Sequence, residues 1–407
     1  MEPTNSRVGV WIVGAFGSIA TTVILGVRAI AAGLVRPVGL ISEDPAFAGL
    51  ELPPIGALDF GGHEIRRDTV ASAASAIARE NGSLAPAWID AVGSELDAIS
   101  RRVRPGTAVG GGRAIQALED DWSADADRTG RACVDRLSND IRAFQREAKV
   151  ARVVVVNLAS TEPPSAAGEI AAQLDELDRR LDRDPTAAFR PGTLYAYAAM
   201  QAGAAYVNFT ASRSCLARSI VELADRAHVP YMGNDGKTGE TLVKSGLAPL
   251  FRTRRLEVMS WVGYNVLGNR DGRILAIDEN KRSKIDTKES VVPGILGYPL
   301  RTHVGIDYVE SLGDNKVAWD FIHFRGFLGH PMSMQFTWQG CDSILAAPLV
   351  VDLVRFADVA LRRGESGPMT HLASFFKNPI GSEEHDLYRQ YQRLTDYAGR
   401  GRVPGST

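Results

Sequence analysis

Short apolar segments alternate with helical segments up to about residue 250, and this alternation limits the fold more than any other sequence feature. An apolar run at Val8–Val13 precedes helical spacing over Thr21–Ala31, and the β-branched run Val150–Leu158 predicts another buried strand. The same patterns predict strands at Val38–Ser42, Ala205–Thr210 and Pro230–Gly233, and helices at 165–183, Thr193–Gly203 and Cys215–Ala227. This order predicts an α/β protein with a doubly wound parallel sheet.

The pattern changes after residue 250. Val258–Leu267, His303–Ser311 and Met332–Gln339 are strand-like, and the last alternates apolar and polar residues throughout, which is typical of a sheet with one buried face. Asp342–Arg363 has the length and apolar character of a helix that packs back on the first sheet. We therefore expect a separate antiparallel layer, residues 250–340, inserted between 1–249 and a returning segment, 341–407.

Composition argues against several classes of partner. The net charge of −2 provides no general attraction for nucleic acid or for an anionic membrane. The three cysteines, Cys133, Cys215 and Cys341, are too far apart for a disulfide framework or a zinc cluster, which indicates a reducing compartment. The first apolar run lacks a basic segment before it and is too short to span a bilayer. We therefore predict a cytoplasmic protein without a nucleic-acid partner, a membrane partner or a metal site.

Lysine is scarce and unevenly distributed. The 46 Lys and Arg residues include eight lysines, so 38 are arginines, and seven of the lysines lie between 237 and 377. An arginine-rich genome would explain the bias and leave these lysines as surface residues. The alternative is chemical, because the pKa of lysine shifts readily on burial whereas arginine keeps its proton. Composition alone leaves both interpretations open.

The turn after the first strand has the pattern G-x-x-G-x-x-A over residues 14–20. Glycine lets the backbone approach a pyrophosphate, which can then accept hydrogen bonds at the helix N-terminus. Glu43 or Asp44, after the predicted strand Val38–Ser42, could bind ribose hydroxyls, and no basic residue follows that strand directly, which favours NAD over NADP. The alternative is an ordinary strand–helix turn whose small residues serve packing.

A second glycine-rich loop spans residues 233–241 and opens a helix. It is not an ATP-binding P-loop, because Tyr231 stands where the first glycine of that pattern would be. Backbone amides, the hydroxyls of Thr238 and Thr241, and the ammonium group of Lys237 would still suit a phosphate. Glu240 is an unfavourable neighbour for a dianion unless its side chain points away.

Four further lysines lie in segments that suggest chemistry. Lys284 and Lys288 are four residues apart, so on a helix they would share a face, either as solvated charges or as a pair that binds phosphate or lowers one pKa. Lys316 and Lys377 have apolar or aromatic neighbours that would desolvate an amine.

Taken in order, the motifs resemble the myo-inositol-phosphate synthase family over nearly the whole chain. The segments that carry the resemblance are the first turn, Asn157–Glu162, 233–241, 265–272, 283–288, Gly313–Asp320 and Cys341–Pro348. The resemblance implies a Rossmann-type NAD-binding domain with an inserted α+β domain for catalysis and tetramerisation, and hence a homotetramer. It also implies conversion of glucose 6-phosphate to an inositol monophosphate by oxidation at C5, enolisation, intramolecular aldol closure and reduction with the same bound NAD.

The resemblance also assigns site residues, each by its motif position. The implied catalytic residues are Lys284, Lys288, Lys316, Lys377 and Asp320. The implied phosphate-binding residues are Lys237, Thr238, Gly239, Glu240 and Thr241. The implied cofactor-binding residues are Gly14, Ala15, Phe16, Gly17, Ser18, Ile19, Glu43, Ala159, Ser160, Thr161, Asp235, Asp342 and Ser343. Lysine ammonium groups in a dry site would stabilise the enolate and alkoxide charge that such a reaction develops.

Three departures from the family pattern concern the substrate. The family usually has two aspartates where this chain has Asn234-Asp235, glutamine at Glu240, and an Asp-Asp pair at Pro293-Gly294. The alternatives are therefore a divergent cyclase of the same fold that acts on another hexose phosphate, such as fructose 6-phosphate, a conventional NAD dehydrogenase, and a catalytically inactive NAD-binding sensor.

Overall fold

The computed structural model describes residues 7–122, 127–164, 171–268 and 291–399, which form a seven-stranded and a four-stranded sheet. The strands are β1 (Val8–Val13), β2 (Leu58–Glu64), β3 (Val103–Pro105), β4 (Arg152–Asn157), β5 (Ala205–Asn208), β6 (Pro230–Gly233), β7 (Glu257–Leu267), β8 (Arg301–Tyr308), β9 (Asn315–Arg325), β10 (Pro331–Cys341) and β11 (Gly367–Pro368).

Helices cover both faces of the larger sheet and one face of the smaller. They are α1 (Ser18–Ala31), α2 (Val70–Asn81), α3 (Pro86–Ala91), α4 (Gly93–Ser100), α5 (Arg113–Gln116), α6 (Gly130–Ala148), α7 (Leu174–Arg183), α8 (Pro191–Gln201), α9 (Arg218–Ala227), α10 (Gly239–Thr253), α11 (Val291–Leu296), α12 (Asp342–Arg362) and α13 (Leu387–Gly399). Of the predicted helix 165–183, residues 165–170 lie outside the described ranges. Within those ranges, no helix is both long enough and apolar enough to cross a membrane.

The seven strands of the larger sheet are all parallel, in the order β11-β6-β5-β4-β1-β2-β3. This confirms the predicted doubly wound sheet, and six of the strands follow the order of Rossmann-type folds. β1 and β4 lie side by side where the strand order reverses. In sheets of this kind, ligands bind beyond the carboxyl ends of the strands at that point.

The strand predicted at Val38–Ser42 is wrong, because a short 3₁₀ turn occupies Ile41–Glu43 and β2 is the partner of β1. β2 contains Gly61 and Gly62, and a Cβ on Gly62 would collide with the carbonyl oxygen of Ile12. The close approach of the two strands therefore requires glycine. Glycine also removes the apolar periodicity by which a strand is predicted.

Alternate residues of the central strands pack on opposite faces of the larger sheet. Val10 and Ile12 lie in one hydrophobic core with α1 and with Phe356 of α12, whereas Trp11 and Val13 lie in the other with α6, α8 and α9. The period of two follows from the pleat of a strand. α12 thus returns to the first sheet, as its apolar sequence predicts.

The smaller sheet has the order β10-β9-β7-β8. β9 is antiparallel to both β7 and β10, but β7 and β8 are parallel, so the expectation of a purely antiparallel layer is wrong. A parallel pair requires a long crossover connection, and here the chain from Leu267 to Arg301 makes it. α10 connects the two sheets, and its Phe251 packs against Trp261 in the core of the smaller one.

β9 alternates between a buried and an outward face. The even-numbered residues, including Lys316, Ala318 and Asp320, are buried, whereas Trp319 and its odd-numbered neighbours are partly or fully exposed. The inner face turns towards α10. The sequence identifies Gly313–Asp320 only as a segment of the resemblance and predicts no strand at these residues.

Candidate active site

A cavity of about 290 Å³ opens at the carboxyl ends of β1 and β4. Its walls come from both sheets, since α10, β7 and β9 contribute side chains opposite the first turn. This is the position at which doubly wound sheets bind ligands.

The first wall of the cavity is the turn between β1 and α1. Gly14 has φ +84°, and a Cβ there would lie 3.3 Å from the Cα of Ala159 on the neighbouring strand connection. Gly17 precedes α1, and among the described residues no side chain caps the amides that begin the helix. These free amides and the helix dipole suit a pyrophosphate. Gly14, Gly17, Ser18 and Ile19, which were predicted to bind the cofactor, line the cavity.

Ala15 and Phe16, also predicted to bind the cofactor, belong to the hydrophobic core instead. Their backbone amides are already used, because Ala15 donates to the carbonyl of His63 (3.2 Å) and Phe16 to the carboxylate of Glu64 (2.9 Å). The two residues therefore support the turn from the core side and lie outside the cavity lining.

Glu43 also lies outside the cavity lining, where its carboxylate pairs with Arg355 at 2.5 Å. The prediction depended on a strand at 38–42, and β2 takes that place in the sheet. Glu64, the last residue of β2, lines the cavity and accepts hydrogen bonds from the amides of Phe16 and Ile65, each at 2.9 Å. Glu64 thus occupies the position of the ribose-binding acid in Rossmann-type folds.

A basic residue does follow the second strand, in contrast to the expectation from Val38–Ser42. Arg66 lines the cavity, with its Nε 3.7 Å from Oε1 of Glu64. The argument for NAD from a missing basic residue is therefore wrong, and the carboxylate of Glu64 takes its place as the feature that favours NAD.

The segment after β4 forms the second wall, and Ala159, Ser160 and Thr161 line the cavity there. Beside them, the buried Glu162 accepts hydrogen bonds from the Gly192 amide (2.6 Å) at the start of α8 and from a serine hydroxyl. Burial raises the pKa of the Glu162 carboxyl, and these hydrogen bonds oppose that rise.

Backbone amides of the loop that precedes α10 donate hydrogen bonds to neighbouring segments of the protein. Asp235 donates to the carbonyl of Thr210 (3.0 Å), and Lys237 donates to that of Phe375 (2.8 Å). Asn234 is fully buried, and its side-chain amide donates to two carbonyls, of Thr210 (2.8 Å) and Ser212 (2.9 Å). An aspartate could not donate these bonds, so the departure at Asn234 has a structural cause.

Lys237 was expected to contact phosphate, but the structure places it outside the cavity lining. Its Nζ is buried behind the loop and donates to Oε1 of Gln390 on α13 at 2.5 Å. Burial lowers the pKa of Lys237 to about 7. The direction of a side chain from a loop depends on tertiary contacts, and the sequence shows none of these.

The first turn of α10 has the features of an anion site. Thr238 and Thr241 line the cavity, and the first amides of a helix have no acceptor within it. The Oγ1 of Thr241 is buried without a hydrogen-bond partner in the described part of the chain. Gly239 has φ +56°, and a Cβ there would lie 3.0 Å from Nζ of Lys316, so the amine lies directly over the start of the helix.

Two of the four predicted active-site lysines line the cavity, each paired with a carboxylate. Nζ of Lys316 lies 2.5 Å from Asp342, and Nζ of Lys377 lies 2.6 Å from Asp235. The Lys316 amine also lies 5.8 Å from the ring centre of Trp338. Lys284 and Lys288, the other two, lie outside the described residues.

Asp320, a predicted catalytic residue, is fully buried and lies outside the cavity lining. It accepts a hydrogen bond from the indole of Trp261 (2.7 Å), and its Oδ1 lies 3.4 Å from Nζ of Lys244. Burial raises the pKa of Asp320 to about 6, against the opposing effect of Lys244. Asp320 therefore does not contact the cavity directly.

The cavity also contains polar residues that sequence reasoning missed. They include Glu64, Arg66, Asn157, Glu162, Asn265 and Asp314. Asp314 accepts hydrogen bonds from the amide of Ser343 (3.1 Å) and the thiol of Cys341 (3.0 Å), and burial raises its pKa. Ser343 and Asp342, which were predicted to bind the cofactor, line the cavity. Most of the missed residues end or follow a strand, which is the signal that could have found them.

Within the described ranges, no three His, Cys, Asp or Glu side chains are grouped so as to hold a metal ion. In the described part of the chain, the cavity thus brings together the glycine turn before α1, the first turn of α10 and two lysine–carboxylate pairs, Lys316–Asp342 and Lys377–Asp235.

Comparison with known sequences covers almost the whole chain. A family model described as myo-inositol-1-phosphate synthase matches residues 8–398. Inositol-3-phosphate synthase 1 of Bacteroides thetaiotaomicron is 33% identical, with 97% of this chain and 95% of that protein aligned. Inositol-3-phosphate synthase of Trypanosoma brucei brucei is 34% identical over 56% of this chain, and the aligned region is 45% of that relative.

Solved structures have the same fold. Inositol-3-phosphate synthase of Caenorhabditis elegans matches with a TM-score of 0.87 at 22% identity, over 99% of this chain and 90% of that one. A myo-inositol-1-phosphate synthase-related protein of Thermotoga maritima matches with a TM-score of 0.78 at 24% identity, over 97% and 98%. Both TM-scores show that these proteins share the fold of this chain.

Proposed function

Because the chain belongs to the myo-inositol-1-phosphate synthase family, we propose that it converts glucose 6-phosphate to a myo-inositol monophosphate with NAD as its cofactor. The observation that carries the proposal is the meeting, in one cavity, of a dinucleotide turn with two lysine–carboxylate pairs. A dinucleotide site alone would suit any dehydrogenase, whereas the paired amines suit enolate and aldol chemistry.

The first turn fits NAD. Gly14 leaves no Cβ between the turn and Ala159, and the uncapped start of α1 offers amides to the pyrophosphate. Glu64 would accept hydrogen bonds from the ribose hydroxyls. When bound, NAD accepts a hydride from the sugar and returns it within the same turnover, which leaves no net redox change.

The first turn of α10 would hold the substrate phosphate. It combines the backbone amides of a helix start, the hydroxyls of Thr238 and Thr241, and the nearby amine of Lys316. The buried hydroxyl of Thr241 would gain a hydrogen-bond partner on phosphate binding.

Lys316 and Lys377 would handle protons and negative charge at the sugar. Enolisation and aldol closure place negative charge on oxygen, and a fixed ammonium group stabilises this charge in a site that excludes water. Asp342 and Asp235 hold the two amines in place at 2.5 and 2.6 Å. Lys284 and Lys288 remain in the proposal as the sequence predicted them.

A product assay tests the function. The purified protein is incubated with NAD and either glucose 6-phosphate or fructose 6-phosphate, and NMR identifies the product. An inositol monophosphate from glucose 6-phosphate, without net NADH, is the expected result. A carbocycle from fructose 6-phosphate alone would identify the divergent cyclase. Accumulating NADH would identify a dehydrogenase, and no turnover with either sugar would favour the sensor.

We further propose a cytoplasmic homotetramer that assembles through the smaller sheet. The outward face of this sheet exposes Tyr264 and Trp319, and the β9–β10 turn exposes Phe327 and Leu328, which are 90% and 89% accessible. Exposed apolar groups of this kind are commonly covered by another subunit. The proposed cytoplasmic location is supported by Cys133 and Cys215, which are buried free thiols.

A further inference from the structure

We propose that Lys244 is a positioning residue that neutralises Glu240 and thereby allows a phosphate group to bind at the first turn of α10. This inference rests on the proposed function, because it assumes that the anion site of α10 receives the substrate phosphate. Lys244 had no role in the sequence-based hypothesis.

The two side chains form a buried pair one helical turn apart. Nζ of Lys244 lies 2.6 Å from Oε1 of Glu240, and the residues are 2% and 1% exposed. A glutamate four residues before a lysine is the favourable orientation for such a pair on a helix. Burying either charge without the other would be strongly destabilising, so the contact is a fixed part of the site.

Two contacts from β7 turn the Glu240 carboxylate away from the helix start. The side-chain amide of Asn265 donates to its Oε2 at 2.7 Å. Gly263 leaves room for Oε1, because a Cβ at that position would collide with this oxygen. Glu240 nevertheless lines the cavity beside Thr238 and Thr241, so its charge acts on any anion bound there.

A second carboxylate completes the cluster. Oδ1 of Asp320 lies 3.4 Å from the Lys244 amine and accepts from the indole of Trp261, while its Oδ2 is buried without a hydrogen-bond partner among the described residues. With all three groups ionised, Glu240, Lys244 and Asp320 carry a net charge of −1. Without Lys244 the same site would carry −2 directly behind a phosphate.

The proposal predicts that phosphate affinity follows the charge of this cluster. Three variants of the full-length protein with NAD bound set the charge to different values: Lys244→Met gives −2, Glu240→Gln gives zero, and the double variant returns to −1. Isothermal titration with inorganic phosphate measures affinity directly, and the KM for glucose 6-phosphate gives a second readout.

We expect Lys244→Met to weaken phosphate binding about tenfold or more, because a unit charge in a poorly solvated site acts strongly on a dianion. Glu240→Gln should bind phosphate more tightly than the natural protein, and the double variant should return to within about threefold of it. The KM for glucose 6-phosphate should change in the same order. Lys149→Met, at an exposed lysine outside the cavity lining, is the control and should leave affinity unchanged.

A purely structural role makes a different prediction. If the double variant is folded but binds phosphate as weakly as Lys244→Met, or if Glu240→Gln weakens binding, the proposal is overturned. Should Lys244→Met fail to fold, the other two variants still test the proposal. Glu240→Gln must bind phosphate more tightly than the natural protein, and the double variant must bind it about equally. If the natural protein makes no inositol phosphate but the affinity order holds, only the proposed function fails.

Discussion

Glu64 and Glu43 differ in their contacts, and this difference leads to a test at the residue scale. Glu64 lines the cavity, while Glu43 pairs with Arg355 outside it. We expect Glu64→Gln to weaken NAD binding about tenfold, because it replaces an acceptor of charge-assisted hydrogen bonds. Glu43→Gln, the matched control, should change NAD affinity less than about twofold. Fluorescence titration with NAD measures both, and equal losses would contradict the assignment of Glu64.

Lys316 provides the second test at this scale. We expect Lys316→Met to lower kcat about a thousandfold, since removal of a fixed charge that stabilises an oxyanion has effects of this order. Steady-state assay of product formation measures the change. Lys149→Met is again the control, because Lys149 is exposed at the end of α6. Comparable kcat values for the two variants would exclude Lys316 from the chemistry.

At the residue scale, the sequence predicted types of side chain better than their directions. Lys316 and Lys377 were singled out by their apolar neighbours, and both amines line the cavity. Lys237, in the glycine-rich loop, donates instead to Gln390, and Asp320 accepts from Trp261. Each direction depends on a partner distant in sequence, and local pattern contains no information on such partners.

At the element scale, α10 contains two glycines with different roles. Gly239 has φ +56° and contacts Lys316, whereas a Cβ on Gly246 would meet nothing closer than 3.9 Å. We expect Gly239→Ala to lower kcat/KM about tenfold or more and to cost about 1 kcal/mol of stability, because an alanine is strained in this conformation and would displace the amine. Gly246→Ala should instead stabilise the protein by about 0.5–1 kcal/mol. Steady-state assays of kcat/KM and thermal melts measure these effects in both variants. Equal effects of the two substitutions would contradict the different roles of the two glycines.

The buried contact of Lys237 with Gln390 of α13 leads to a prediction about how stability depends on pH. The pKa of Lys237 is about 7 in the folded protein, against 10.5 for an ordinary lysine. Between these values the unfolded chain binds a proton that the folded protein does not, so stability rises with pH across this window and is lost as pH falls towards 7.

Lys237→Met should remove this rise in the free energy of unfolding between about pH 7 and pH 9, whereas Lys149→Met should keep it. Chemical denaturation at several pH values measures the slope. An unchanged slope in Lys237→Met would show that the buried amine is charged throughout.

Elements were predicted where their patterns are continuous. β4, α8 and α12 match their predicted positions within a few residues. β2 was missed because Gly61 and Gly62 interrupt it, and the parallel pairing of β7 with β8 was missed because pairing direction depends on tertiary arrangement.

At the scale of the whole molecule, the exposed face of the smaller sheet leads to a test of assembly. Trp319 is 38% exposed in the centre of β9 and stacks on Tyr264. We expect light scattering to give four times the chain mass of 43.9 kDa, and Trp319→Glu to lower it by placing a charge in an apolar contact. Val38→Glu, at an exposed apolar residue outside this sheet, should retain the tetramer. A monomer in the natural protein would contradict the proposal.

The doubly wound parallel sheet, whose strand order reverses, could be anticipated at this scale, since alternating strands and helices allow few topologies. The position of the cavity follows from that order, because β1 and β4 meet where it reverses. The wall that α10, β7 and β9 form could not be anticipated, since these elements reach the cavity only through the packing of the smaller sheet.

β9 presents Lys316 and Asp320 on its inner face and Trp319 on its outer face, in strict alternation. A single inserted or deleted residue would exchange the two faces, and the amine would move out of the cavity while an aromatic ring replaced it. Substitutions can therefore accumulate along this strand during evolution, but changes of its length cannot. Among homologues, divergence here should consist of replaced residues at constant spacing.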